Sequence, residues 1–68
     1  MDYKDFCEAV FRKLHEEGYA PHKSDDELRE AMQEYEDIME DGYSEHGNGP
    51  RGMEHGIEYA AWNIAMCI

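Results

Sequence analysis

The sequence predicts an all-α fold, a small three-helix bundle in a single domain that spans residues 1–68. Apolar residues recur every three or four positions in three segments, and this spacing predicts helices at about residues 2–17, 25–41 and 50–66. Glycine and proline separate the segments by short connections, which favour antiparallel neighbours. A chain of 68 residues has room for one core only.

The first helix is amphipathic. Its apolar face consists of Tyr3, Cys7, Val10 and Leu14. Charged residues occupy the opposite side. Gly18 stands where a left-handed glycine ends many helices, and Pro21 prevents the helix from resuming.

The second helix begins with a capping signal. Ser24 and Glu27 have the spacing of a capping box, in which each side chain accepts a hydrogen bond from the backbone N–H of the other residue. The apolar stripe of this helix consists of Leu28, Met32, Tyr35 and Met39. We expect Gly42 to end the helix as a second left-handed glycine.

The third helix follows a glycine-rich segment, residues 43–52, that is typical of a surface loop. Pro50 suits the first helical position, where its missing N–H costs no internal hydrogen bond. Gly52, Gly56 and Ala60 lie on one side of the helix. Two interpretations remain open: these small residues admit a neighbouring backbone, or the glycines only weaken the first turns.

The formal charge of −11 is concentrated in the second helix and its exit. Residues 24–45 contain ten acidic residues and one base, a net charge of −9, whereas the rest of the chain is close to neutral. At about 100° per residue, most of these carboxylates lie opposite the apolar stripe. We call the following residues the acidic row and expect them to bind a partner: Asp26, Glu27, Glu30, Glu34, Asp37, Glu40 and Asp41.

The acidic row admits two interpretations. In the first, it is a solvated surface that keeps a small protein soluble. In the second, like charges three and four residues apart oppose the helix, and a cationic partner relieves their repulsion. Successive members are about 4.5–6 Å apart along the axis, comparable to the phosphates of a nucleic-acid strand. A surface of this sign repels nucleic acid, so direct nucleic-acid binding is not expected.

The acidic residues of the second helix form no sequence motif: Asp25, Asp26, Glu27, Glu30, Glu34, Glu36, Asp37, Glu40 and Asp41. In size, charge and composition, the chain that carries them resembles the small acidic inhibitors of phages and mobile elements. These are the anti-CRISPR and anti-restriction proteins that act as DNA mimics. The resemblance implies a non-catalytic inhibitor whose partner is the basic, nucleic-acid-binding surface of a CRISPR effector or another nuclease.

The third helix has two apolar faces. One consists of Met53, Ile57, Ala60, Ile64 and Ile68. Nearly opposite, beside His55, lie three residues that we call the apolar seam: Tyr59, Trp62 and Met66. Because these residue types are enriched at interfaces, the seam is a candidate for binding a partner or for forming a homodimer. The alternative is that this helix is the most buried of the three, with Trp62 in the core.

The sequence predicts no metal site, cofactor or catalytic site. A calcium loop centred on Gly42 would place Met39 and Asn48 at positions that require acidic oxygen ligands. The histidines and cysteines lack zinc-site spacing, although a small metal-binding protein remains an alternative. No nucleophile elbow or phosphate-binding glycine loop is present, and we expect no enzyme.

The cysteines and the hydropathy indicate the compartment. In an up-down-up bundle, Cys7 and Cys67 lie at opposite ends, which excludes a disulfide between them and is typical of reduced thiols. The sequence has neither an apolar run long enough to span a membrane nor a secretory signal. We therefore expect a cytoplasmic protein that does not bind membranes.

Overall fold

The computed structural model describes all 68 residues and contains helices but no strands. Four α-helices are present: α1 (Tyr3–Glu16), α2 (Asp25–Glu34), α3 (Glu36–Glu40) and α4 (Gly52–Cys67). A π-helical segment, Asp41–His46, follows α3 directly. The all-α prediction is confirmed, whereas the predicted number of three helices is wrong because the second helix is divided.

Both ends of α1 are fixed by local hydrogen bonds. The Asp2 carboxylate accepts a hydrogen bond of 2.9 Å from the backbone N–H of Asp5. After the helix, Gly18 has a φ of 81°, and the N–H of Ala20 donates to the carbonyl of Leu14 at 3.0 Å. This hydrogen bond across the turn satisfies a free carbonyl at the helix end. The predicted role of Gly18 is confirmed.

The predicted helix over residues 25–41 ends early, at Glu34. Its capping box is present: Ser24 Oγ accepts from the N–H of Glu27 at 3.2 Å, and Glu27 Oε1 accepts from the N–H of Ser24 at 3.0 Å. Tyr35 then leaves the helical conformation, with φ −103° and ψ 43°. The apolar stripe did not reveal this break, because its members remain on the core side when a helix is interrupted at a single residue.

Gly42 does not end a helix, and the prediction that it has a left-handed conformation is wrong. It lies buried within the π-helical segment. A β-carbon added to Gly42 would lie 2.7 Å from the backbone oxygen of Gly56 in α4. Glycine is required here because two backbones approach closely.

The start of α4 lies two residues later than predicted. Pro50 precedes the helix, and Gly52 has a φ of 77°, which an uninterrupted helix from Pro50 cannot contain. Of the small residues on one side of α4, Gly56 admits a neighbouring backbone, as the first interpretation predicts. Gly52 has no atom within 4 Å of an added β-carbon, so it serves the turn instead.

The core lies where α1, α2, α3 and α4 meet. Its buried apolar side chains are Phe6, Val10, Leu14, Ala20, Leu28, Ala31, Met32, Met39, Ala60, Ala61 and Ile64. Three of the four residues of the stripe predicted for the second helix are in this set, and Tyr35 packs against its edge. Both cysteines are free. None of the helices has the length and apolar character needed to span a bilayer.

Candidate binding surfaces on α2, α3 and α4

Every residue of the acidic row is exposed to solvent. The break at Tyr35 divides the row: the residues from Asp26 to Glu34 lie on α2, Asp37 and Glu40 lie on α3, and Asp41 begins the π-helical segment. The row is therefore not the single straight line of carboxylates that an unbroken helix would present. It consists of two consecutive parts joined at a bend.

Glu27 is the only member of the acidic row with a partner in the chain. Its carboxylate takes part in the capping box and lies 4.0 Å from Nζ of Lys23. Hydrogen bonding to the backbone and side chain of Ser24 lowers the pKa of Glu27. The other six members form no salt bridge. Their repulsion is thus uncompensated within the molecule.

Arg29, the single base among residues 24–45, does not neutralise the row. Its guanidinium lies 3.6 Å from the carboxylate of Glu8 and 4.2 Å from the ring centroid of Phe11, both on α1. The charge of Arg29 is therefore used to join α2 to α1. Arg29 forms no salt bridge with any member of the acidic row.

Part of the acidic row borders the C-terminal end of α4. Glu27, Glu30 and Glu34 line a shallow groove of about 170 Å³ together with Lys23, Ala31 and Ile68. Asp37, Glu40 and Asp41 follow the bend at Tyr35 and lie outside this groove. The structure thus brings three carboxylates of α2 together beside an apolar residue and separates them from those that follow.

The apolar seam of α4 is largely exposed. Trp62 is 58% exposed and Met66 is 71% exposed, and Tyr59 is half-buried. The alternative that placed Trp62 in the core is wrong, because the buried face of α4 consists of Gly56, Ala60, Ala61 and Ile64. Large exposed apolar side chains on one helix face are a feature of interaction surfaces.

Two members of the seam, Tyr59 and Trp62, line a cavity that we call the aromatic groove. It has a volume of about 500 Å³ and is lined by Tyr19, Arg51, Glu54, His55, Glu58, Tyr59, Trp62 and Asn63. Tyr19, from the connection between α1 and α2, meets Trp62 edge to face, with centroids 6.1 Å apart and planes at 87°. Met66 does not line the groove.

His46 of the π-helical segment contacts Tyr59, one of the rings that line the aromatic groove. The His46 and Tyr59 rings stack with centroids 3.8 Å apart and planes at 17°. The ring centroid of His55 lies 5.4 Å from that of His46. Sequence reasoning missed Tyr19 and His46 as neighbours of the seam, since both come from other segments and no helical spacing relates them to α4.

The two cysteines differ in exposure: Cys7 is half-buried and Cys67 is exposed. Cys7 lines a cavity of about 360 Å³ between α1 on one side and α2 and α3 on the other. Burial raises the pKa of its thiol, which favours the unreactive protonated form. Burial and the neighbouring Cys7 also raise the pKa of Tyr3 to about 12. No group of three or more His, Cys, Asp or Glu side chains is arranged to hold a metal ion.

Comparison with known proteins finds no match: no family model fits the sequence, and no curated protein or solved structure is significantly similar to it. The two surfaces described above, the acidic row and the aromatic groove with the rest of the apolar seam, are therefore interpreted from their own geometry and charge.

Proposed function

We propose that this protein is a non-catalytic inhibitor that presents the acidic row to a basic, nucleic-acid-binding surface of a target protein. The target class is a CRISPR effector or another nuclease, and the site of action is the cytoplasm of the host cell. The observation that carries the proposal is that six exposed carboxylates of the row have no cationic partner in the chain.

The energetic reason is that the row is unfavourable in the free protein. Each pair of like charges three or four residues apart costs about 0.2–0.5 kcal/mol of helix stability. Arg29, the single base within residues 24–45, is engaged by α1, and Lys23 forms a salt bridge with Glu27 only. A partner surface rich in lysine and arginine removes this repulsion on binding, and the opposite charges also accelerate the encounter.

The bend at Tyr35 shapes the expected contact. The part on α2, with Glu30 and Glu34, and the part from Asp37 onward leave the bend in separate helices. Each part would meet a different group of basic residues on the target. We therefore expect reversal of either part alone to weaken inhibition without abolishing it.

The test is competition with DNA for a panel of purified CRISPR effectors and restriction endonucleases, each loaded with a fluorescent duplex and followed by anisotropy. The native chain should displace DNA from at least one of them, and potency should fall about tenfold or more between 50 and 200 mM salt. Reversal of Glu30, Glu34 and Asp37 to lysine should abolish displacement while circular dichroism shows an unchanged helix content.

A matched control carries the same change in total charge. Asp5, Glu16 and Glu45 are exposed acids outside the acidic row and outside the aromatic groove. Their reversal to lysine changes the net charge of −11 by the same amount as reversal of the three row residues. Equal inhibition by the two triple variants would show that the position of the carboxylates is irrelevant. If the native chain displaces DNA from none of the nucleases in the panel, the nuclease assignment is contradicted.

A second candidate function is an interaction module that binds through the apolar seam, with the acids serving solubility only. The exposure of Trp62 and Met66 favours it. In that case Trp62→Ala and Tyr59→Ala should weaken target binding more than charge reversal does, and affinity should hardly respond to salt.

Sedimentation velocity tests whether the apolar seam forms a homodimer. Two copies with a charge of −11 each repel one another, so a dimer through the seam should strengthen as salt is added.

A further inference from the structure

The aromatic groove combines aromatic rings with carboxylates at one opening. Tyr19, Tyr59 and Trp62 contribute the rings, and Glu54 and Glu58 contribute the carboxylates. The faces of aromatic rings are negative and attract cations, most strongly for tryptophan. A groove of this composition complements a positively charged side chain better than an apolar one, which would leave the carboxylates without a partner.

Each ring of the groove contacts another aromatic ring within the chain. Tyr59 is stacked on His46 at 3.8 Å. Tyr19 and Trp62 are nearly perpendicular, at 87°, so that they form two walls of a corner. Rings that already pack against one another lose less conformational entropy on binding than side chains without contacts. The arrangement therefore favours a flat cation that can lie against one wall while it donates hydrogen bonds at its edge.

We propose that the aromatic groove receives an arginine side chain from the target's basic surface. This inference rests on the proposed function, because it assigns a second contact to the same partner. Arginine fits better than lysine, since its planar guanidinium stacks on aromatic faces and is more weakly hydrated. Its remaining N–H groups can donate to Glu54 and Glu58.

The positive charges near the groove do not fill this position. Arg51 lines the groove but forms no cation–π contact with its rings, and with Glu54 and Glu58 the lining keeps a net negative charge. Nζ of Lys13 lies 5.8 Å from the Tyr19 centroid, and it is hydrogen-bonded to Glu17 at 3.2 Å. Trp62 remains 58% exposed. A second copy of the chain is a poor occupant, because both copies carry a charge of −11.

The test uses the full chain and a short probe, the acetylated and amidated peptide Gly-Arg-Gly. Trp62 is the only tryptophan, so its indole N–H gives one assignable signal in a ¹⁵N–¹H spectrum. We expect a saturable shift of this signal at physiological salt. The same peptide with neutral citrulline should produce none, and the lysine peptide should bind more weakly. Because Glu58 is exposed, Glu58→Gln should preserve the fold, and it should weaken arginine binding about two- to fivefold.

Two comparisons separate this inference from the proposed function. Glu30→Gln removes one charge from the acidic row and should leave the arginine-peptide affinity unchanged. If the peptide shifts the resonances of the acidic row but not Trp62, the groove assignment is overturned while the proposed function stands. If citrulline or a leucine peptide shifts Trp62 as strongly as arginine, the groove is an apolar site and the inference is overturned. If arginine peptide shifts Trp62 but reversal of the acidic row leaves inhibition unchanged, the groove assignment is supported and the proposed function is overturned.

Discussion

Gly42 and Gly56 bring the π-helical segment and α4 into direct backbone contact. A β-carbon on Gly42 would lie 2.7 Å from the Gly56 oxygen, and one on Gly56 would overlap the Gly42 oxygen and lie 2.9 Å from Cα of Gly47. Both glycines are buried. Backbone atoms cannot rotate away as the end of a flexible side chain can, so neither position has room for a methyl group.

Gly56→Ala should therefore destabilise the fold, although alanine is the better helix former. Overpacking of this kind costs about 1–3 kcal/mol, and the better helix propensity of alanine offsets only about 1 kcal/mol of that cost. Urea denaturation followed by circular dichroism measures the net loss. Gly49→Ala is the matched control, since its β-carbon would lie 3.4 Å from the nearest atom. Similar stabilities for the two variants would contradict the close contact.

The same contact shows where sequence reasoning succeeds and where it does not. The Ser24 capping box and the Gly18 terminator were predictable because each depends on residues only a few positions apart. The conformation of Gly42 was not, because its requirement comes from Gly56 on another helix. A glycine after an apolar stripe is compatible with either a helix end or a backbone contact, and only the tertiary structure distinguishes them.

The candidate surfaces follow the same division. The exposure of the acidic row follows from its position opposite a buried stripe, which helical periodicity fixes. The aromatic groove required Tyr19 to reach Trp62 and His46 to reach Tyr59, and both contacts join separate segments of the chain. The break at Tyr35 escaped prediction because the residue has an ordinary helical spacing and no glycine or proline marks the site.

Ser24→Ala should destabilise the protein by about 1 kcal/mol, since it removes the acceptor for the N–H of Glu27 at the start of α2. Thermal or urea denaturation measures the difference. Ser44→Ala is a suitable control: Ser44 is also exposed, but its hydroxyl donates to the carbonyl of Glu40 and caps no free N–H. Loss of the Ser44 hydroxyl should change the free energy of unfolding by less than about 0.5 kcal/mol. A larger effect at Ser44 than at Ser24 would contradict the capping role.

Acid should also weaken the capping box, because it protonates the Glu27 carboxylate that accepts a hydrogen bond from the N–H of Ser24. Hydrogen bonding to the backbone and side chain of Ser24 holds the pKa of Glu27 below its ordinary value in the folded chain. Above the unfolded-state pKa, the ionised carboxylate makes its full contribution to the free energy of unfolding. That contribution is lost as the pH falls through the lower pKa of the folded state. A ¹³C titration of the Glu27 carboxyl should give a midpoint below that of the urea-unfolded chain. Identical midpoints would show that the carboxylate does not cap the helix.

The two cysteines should differ in reactivity. Under non-reducing conditions, titration with a disulfide reagent should find two free thiols. At neutral pH, iodoacetamide should modify exposed Cys67 first, because burial raises the pKa of Cys7 and keeps its thiolate fraction low. Raising the pH should narrow the difference as the Cys7 thiol ionises. Peptide mapping by mass spectrometry follows both sites, and faster alkylation of Cys7 at neutral pH would contradict its placement.

Arg29→Gln should loosen the packing of α2 on α1. The guanidinium lies 3.6 Å from Glu8 and 4.2 Å from the Phe11 ring centroid, so one substitution removes an ion pair and a cation–π contact. The expected loss in unfolding free energy is about 0.5–1.5 kcal/mol. Arg12→Gln removes the same charge but only an exposed pair with Glu16, at 3.9 Å, and should cost about 0–0.5 kcal/mol. Because both variants increase the net negative charge equally, a larger loss at Arg29 isolates its contacts from general repulsion. Equal losses would mean that the charge, and not its position between α1 and α2, stabilises the fold.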